Sequence, residues 1–168
     1  KTAMIFENRS LPHVEYLLRS AVYRLENDWN HVIVCTNDNY HYITLMCSNI
    51  HKDIQVINIG DVKIDQNSFN NLMLSETFWN LIPGEKILVY QQDADIYHGD
   101  LSKYLRYDYI GPSWPKDQKD NSLQVGNGGY SLRSKSKMIE CLQFVNPGEL
   151  PLMEGTQKYM DGRAYLGK

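Results

Sequence analysis

A chain of 168 residues can bury roughly 70% of the surface its unfolded form exposes, so one domain spanning residues 1–168 with a sizeable core is expected. Its 17 basic and 20 acidic residues give a net charge of −3 with no basic stripe, which excludes duplex nucleic acid as a partner. Apolar runs such as HVIVCT and KILVYQ are strand-sized, far short of the ~20 residues that cross a bilayer, so no transmembrane segment is expected.

The first predicted element is a strand, TAMIF at 2–6. After it, Leu11, Val14, Leu17, Leu18, Ala21, Val22 and Leu25 recur at the spacing of one helix face, with Ser10 placed to cap the helix and Pro12 in its first turn. HVIVCT (31–36) is a second strand, a polar helix covers 38–49, and IQVINI (54–59) is a third strand. Residues 68–82 form one helix or two short ones, with Ser75 an internal cap. KILVYQ then reads as a strand, YDYIGPSW as a short strand and 136–145 as a helix, while 112–122 has loop composition. Strands and helices in alternation, with strands apolar on both sides, argue for an α/β, Rossmann-like fold around a mainly parallel sheet.

The sharpest chemical feature is QQDADIY (91–97), where Gln92, Asp93 and Asp95 follow an apolar strand at the sheet edge that carries ligands in such folds. Were the segment extended, the two carboxylates would point to one side. About 5 Å apart at an effective dielectric of ~20 they would repel by roughly 3 kcal/mol, which a bound divalent cation would relieve. Oxygen ligands suit Mg²⁺ or Mn²⁺, which complete their shells with water and phosphates. A solvated acidic turn is the competing reading.

Two further segments end parallel strands on the same edge: FENRS (6–10), with Asn8 and Arg9, and TND (36–38), with Thr36 and Asn37. A nucleotide gripped in the crevice between them is expected. Arg9's planar fork suits a base or phosphate, against the alternative of a surface salt bridge. VGNGGYSLRS (125–134) surrounds Asn127 with glycines, including Gly128 and Gly129, just before an expected helix. There a backbone can approach a ligand closely, although a plain hairpin turn explains the glycines as well.

In order, FENRSLP, SETFW, ILVYQQDADI, YDYIGPSW and VGNGGYSLRS resemble a family of uncharacterised domains classed with GT-A glycosyltransferases, over about residues 3–140. The resemblance implies a GT-A fold and transfer from a nucleotide-sugar donor, a UDP-sugar foremost, to a glycan, protein or small-molecule acceptor. It also implies Mn²⁺ or Mg²⁺ held by Asp95, Asp93 on ribose or sugar, and the glycine segment near donor sugar and acceptor. The C-terminal stretch 146–168 departs from the family, which runs longer; Glu154 and Asp161 are its candidates for a catalytic base, and residues are expected to be missing there.

Other functions compete with this reading. A sugar-nucleotide pyrophosphorylase would carry a long Gly- and Arg-rich loop after its first strand, which FENRSLPH is not. A DxDxT phosphatase would need Thr where Tyr97 stands. A non-catalytic nucleotide- or glycan-binding module remains an alternative. Cys35, Cys47 and Cys141 form an odd set without a CxxC pair, and no signal peptide is readable, which favours reduced thiols and a cytoplasmic location.

Overall fold

The computed structural model describes residues 1–25, 27–50, 53–63, 66–112 and 128–144. Along the chain these form β1 (Thr2–Phe6), α1 (His13–Arg24), β2 (Asn30–Cys35), α2 (Tyr40–Ser48) and β3 (Ile54–Asn58). There follow α3 (Gln66–Met73), α4 (Glu76–Leu81), β4 (Lys86–Tyr90), a short 3₁₀ turn at Ser102–Tyr104, β5 (Tyr109–Ile110), β6 (Tyr130–Ser134) and α5 (Lys135–Phe144). The six strands make one sheet in the order β3-β2-β1-β4-β6-β5. The first four of that order run parallel, whereas β6 is antiparallel to both β4 and β5.

Every residue of β1 is buried, because the sheet is covered on both faces and successive side chains point to opposite sides. Ala3 and Ile5 join the core under α1 and α2 with Val14, Leu18, Ile33, Leu88 and Tyr90. Met4 and Phe6 join the opposite core with Val34, Phe78, Trp79, Ile82 and Val89, against which α3 and α5 pack. Fully burying side chains of this size stabilises by about 1.5–3 kcal/mol each, so the sheet is the rigid part of the molecule.

Three expectations are corrected. Helix α1 is not capped by Ser10: Pro12, already in helical geometry at φ −60°, occupies the N-cap position with no side-chain cap, leaving Ser10 two residues too early. YSLRS is strand β6, so the glycines before it lead into the sheet and not directly into a helix; the helix expected at 136–145 follows the strand as α5. The chain also turns after β4 where an extended run was expected, with the Ala94 N–H donating to the Gln91 carbonyl at 3.0 Å. Ser75 does act as an internal cap, its hydroxyl accepting from the Phe78 N–H at 3.3 Å, which splits the 68–82 stretch into α3 and α4.

Candidate functional site

The parallel strands β1, β2 and β4 bring FENRS, TND and QQDAD to one edge of the sheet. Sheet order reverses between β1 and β4: the chain moves from β1 out to β2 and β3, then returns to β4 on β1's other side. Open α/β sheets bind ligands at such a switch point. Strand β6 adds the glycines by another route. Because it is antiparallel and pairs Tyr130 with Tyr90, its incoming end lies at the outgoing end of β4, so Gly128 and Gly129 reach the edge that carries Gln92 and Asp93.

The β1–β2 side of this edge is closed. Asn39, only 2% exposed, donates to the Glu7 carbonyl at 2.9 Å and the Arg9 carbonyl at 3.0 Å, and accepts from the Thr36 N–H at 3.1 Å. The gap between FENRS and TND is thus bridged by a side chain of the protein. Thr36 is buried beneath it, and Asn37 turns toward the end of β3, donating to Asp61 at 2.6 Å and accepting from Asn58 at 2.7 Å. Arg9 forms a two-pronged ion pair with Glu7, Nε to Oε1 at 2.7 Å and Nη2 to Oε2 at 3.0 Å, and this hydrogen bonding raises the guanidinium's pKa. Glu7 is 2% exposed and Arg9 57%, so the salt bridge seals a buried carboxylate from the solvent side. Asn8 follows at the rim, half-buried.

The β4 side differs. Gln92 Oε1 accepts from the Nε2–H of His13, at the start of α1, at 3.0 Å. Asp93 is exposed and makes no hydrogen bond or ion pair among the described residues. Asp95 reaches α1, where Oδ1 accepts from the Ser20 hydroxyl at 2.6 Å and Oδ2 from the Tyr16 hydroxyl at 3.3 Å. Further on, Arg24 donates to the Tyr97 carbonyl at 2.8 Å and lies over the Tyr97 ring. At Gly99 the strap touches the helix backbone so closely that a Cβ would sit 1.5 Å from the Arg24 carbonyl oxygen.

On its other side the same segment walls a cavity of about 530 Å³, lined by Asp95, Tyr97, Leu101 and Tyr104 and floored by Leu88, Tyr130 and Leu132. Burial, and then the charge of Asp95, push the Tyr130 phenol up, so it stays neutral at physiological pH. Arg133 fixes the glycine segment from behind, with its guanidinium between the Trp79 and Tyr109 rings, Nε donating to the Ser131 hydroxyl at 2.9 Å and Nη2 to the Gly128 carbonyl at 3.3 Å. Burial lowers the pKa of that guanidinium. A side chain at position 128 would meet it at 2.6 Å.

Among the described residues, no group of three or more His, Cys, Asp and Glu side chains converges as a metal centre. Neither Asp93 nor Asp95 pairs with a cation there. Asp95 is held against α1 by neutral hydroxyls only, and Asp93 by none of the described residues; each is a hard oxygen donor of the kind that suits Mg²⁺ or Mn²⁺, although the turn at 91–94 removes the extended geometry that was expected to put both on one side. Asn127, Glu154 and Asp161 lie outside the described residues. Sequence reasoning missed Glu7, Tyr16, Ser20 and Asn39. The polar row flanking α1's apolar stripe was the available signal for Tyr16 and Ser20.

Residues 53–163 match the family described as Protein of unknown function (DUF5672). No curated protein matches the chain. Among solved structures, the apo form of the glycosyltransferase GlyE of Streptococcus pneumoniae TIGR4 is similar at TM-score 0.53 and 11% identity, over 83% of this chain and 35% of that one. A further GlyE structure gives TM-score 0.51 and 10% identity over 96% and 42%. The 4-diphosphocytidyl-2C-methyl-D-erythritol synthase of Anaerococcus prevotii DSM 20548 gives TM-score 0.56 and 13% identity over 97% and 82%. At these identities the likeness shows the fold, a GT-A-like α/β sheet, and the chain spans well under half the length of the GlyE chains. No described helix is long and apolar enough to cross a membrane.

Proposed function

We propose that this chain, which belongs to the DUF5672 family of proteins of unknown function, is the nucleotide-sugar-binding part of a metal-dependent glycosyltransferase. The observation that carries this reading is the placement of Asp93 and Asp95, without a cationic partner among the described residues, at the β1–β4 switch point beside a 530 Å³ cavity. The fold likeness to a glycosyltransferase, and to a synthase whose name gives a diphosphocytidyl product, supports a nucleotide-linked substrate.

Asp93 and Asp95 would hold Mn²⁺ or Mg²⁺, and such a cation, when bound, neutralises the charge a diphosphate leaving group develops. The chain's own residues supply position. Since Asn39 bridges the β1–β2 gap, the nucleotide, UDP foremost, has its place on the β1–β4 side, between the rim of Asn8 and Arg9 and the strap that begins at Gln92. Gly128 and Gly129 approach from β6, whose Tyr130, Ser131 and Leu132 line the cavity. The donor sugar belongs in that cavity, with tyrosine rings for its apolar faces.

The test is calorimetric titration of UDP into the protein in millimolar Mn²⁺ and in EDTA. Metal and nucleotide should each strengthen the other's binding by the same factor, and Asp95→Asn should remove the dependence on Mn²⁺. Equal UDP affinity in both buffers would end the metal-dependent reading. The coverage of most of the synthase chain favours nucleotidyl transfer as a second reading, although only residues 7–12 separate β1 from α1. Pyrophosphate release from CTP or UTP, without sugar transfer, would select it.

A further inference from the structure

The residues of α1 that meet the strap are His13, Tyr16, Ser20 and Arg24, whose partners are Gln92, Asp95, Asp95 again and Tyr97 in that order. Spacings of three, four and four put these four side chains in one line along the helix, about a quarter turn round from the buried Val14, Leu17, Leu18 and Ala21. The pairing therefore runs along the whole helix in register.

At the centre of the row each carboxylate oxygen of Asp95 takes one hydroxyl hydrogen bond, at 2.6 Å from Ser20 and 3.3 Å from Tyr16. Two donors on two oxygens fix both the position and the plane of the carboxylate. An ionised carboxylate has about four acceptor sites, so about two remain. The donors are neutral, so they orient the group without cancelling its charge, as Arg or Lys would. Arg24, the cation of the row, is engaged with the Tyr97 carbonyl and ring.

We propose that Tyr16 and Ser20 are positioning residues for the cation site at Asp95, and that α1 presets this carboxylate for a divalent metal. The inference rests on the metal reading above. Outer partners of metal ligands typically carry about ten- to a hundredfold in metal affinity. With the shorter bond, Ser20 should carry the larger share.

The experiment measures Mn²⁺ affinity, by calorimetry or by the electron paramagnetic resonance of free Mn²⁺, with saturating UDP and the full chain. The variants are Ser20→Ala, Ser20→Thr and Tyr16→Phe, each with its metal-free melting temperature. Ser20→Ala should bind Mn²⁺ about ten- to a hundredfold more weakly, Tyr16→Phe less than tenfold more weakly, and Ser20→Thr, which keeps the hydroxyl, near the parent value, all with melting temperatures close to the parent's. Unchanged or tighter Mn²⁺ binding in Ser20→Ala would overturn the proposal, as would a loss in Ser20→Thr equal to that in Ser20→Ala. If Ser20→Ala fails to fold, Tyr16→Phe decides, since its hydroxyl lies on the exposed side. A parent protein that binds no Mn²⁺ sinks the metal reading itself, before any variant is compared.

Discussion

Two polar clusters sit on the same edge of one sheet, and they are built in opposite ways. Around Asn39 the groups are mostly buried and mostly matched: the amide meets two carbonyls and an N–H and Glu7 meets both prongs of Arg9, with the buried Thr36 hydroxyl left without a partner among the described residues. Around Asp93 and Asp95 the groups are exposed and charged, and their partners are neutral hydroxyls or none among the described residues. A buried polar group without a partner is costly, so the first cluster is satisfied at all but the Thr36 hydroxyl before any ligand arrives. The second can stay incomplete because water covers the difference until something stronger comes. The first is scaffold, and the second is where binding energy is available.

Replacing the scaffold's hub should have the largest effect. Asn39→Ala leaves the Thr36 N–H and the Glu7 and Arg9 carbonyls without that side chain, and should cost about 2–4 kcal/mol in urea unfolding. A loss under about 1 kcal/mol would mean that water reaches this gap, and would reopen it to a nucleotide. Arg9→Ala comes next: it removes both guanidinium bonds from the buried Glu7 carboxylate, which keeps the backbone N–H of residue 9, and Arg9 is itself more than half exposed, so about 1–2 kcal/mol is expected. If the same variant keeps its stability and loses UDP affinity, Arg9 belongs to the second cluster and the division between them fails. The smallest effect is expected for Asp93→Asn, within about 0.5 kcal/mol of the parent in unfolding while Mn²⁺-dependent UDP binding falls. A marked change in stability there would show the carboxylate to be part of the scaffold.

The scaffold was legible where apolar pattern decides it. TAMIF is β1 to the residue and HVIVCT is β2 within one, because a strand buried on both faces is apolar at nearly every position, while IQVINI is β3 within one residue although, at the sheet edge, Gln55 and Asn58 are exposed. YSLRS was not legible as β6: with Ser131 and Ser134 buried and Arg133 held between two rings, its inward positions are polar. Nor was the turn at 91–94, since QQDA contains neither glycine nor proline to announce it. For the site, the residues after each strand named the right edge, because parallel strands share their direction. Their partners were hidden, since Glu7 with Arg9 and Asn39 with Thr36 are contacts that a local pattern does not separate from solvent-facing polarity.

Gly99 gives the strap a fixed length. With the helix backbone against it, the chain is pinned at the last turn of α1, while its other end leaves the sheet at Tyr90. Between His13 and Arg24 lie about 16 Å of helix. The strap must cover that span with a set number of residues if its side chains are to meet the row beneath. Helix α1 is in effect a ruler. Apart from Gln92, Asp93 and Asp95, varied side chains along 91–98 keep the reading, whereas one inserted or deleted residue slides Asp95 off its mark, so natural or laboratory variants should tolerate changes of composition at those other positions far better than changes of length.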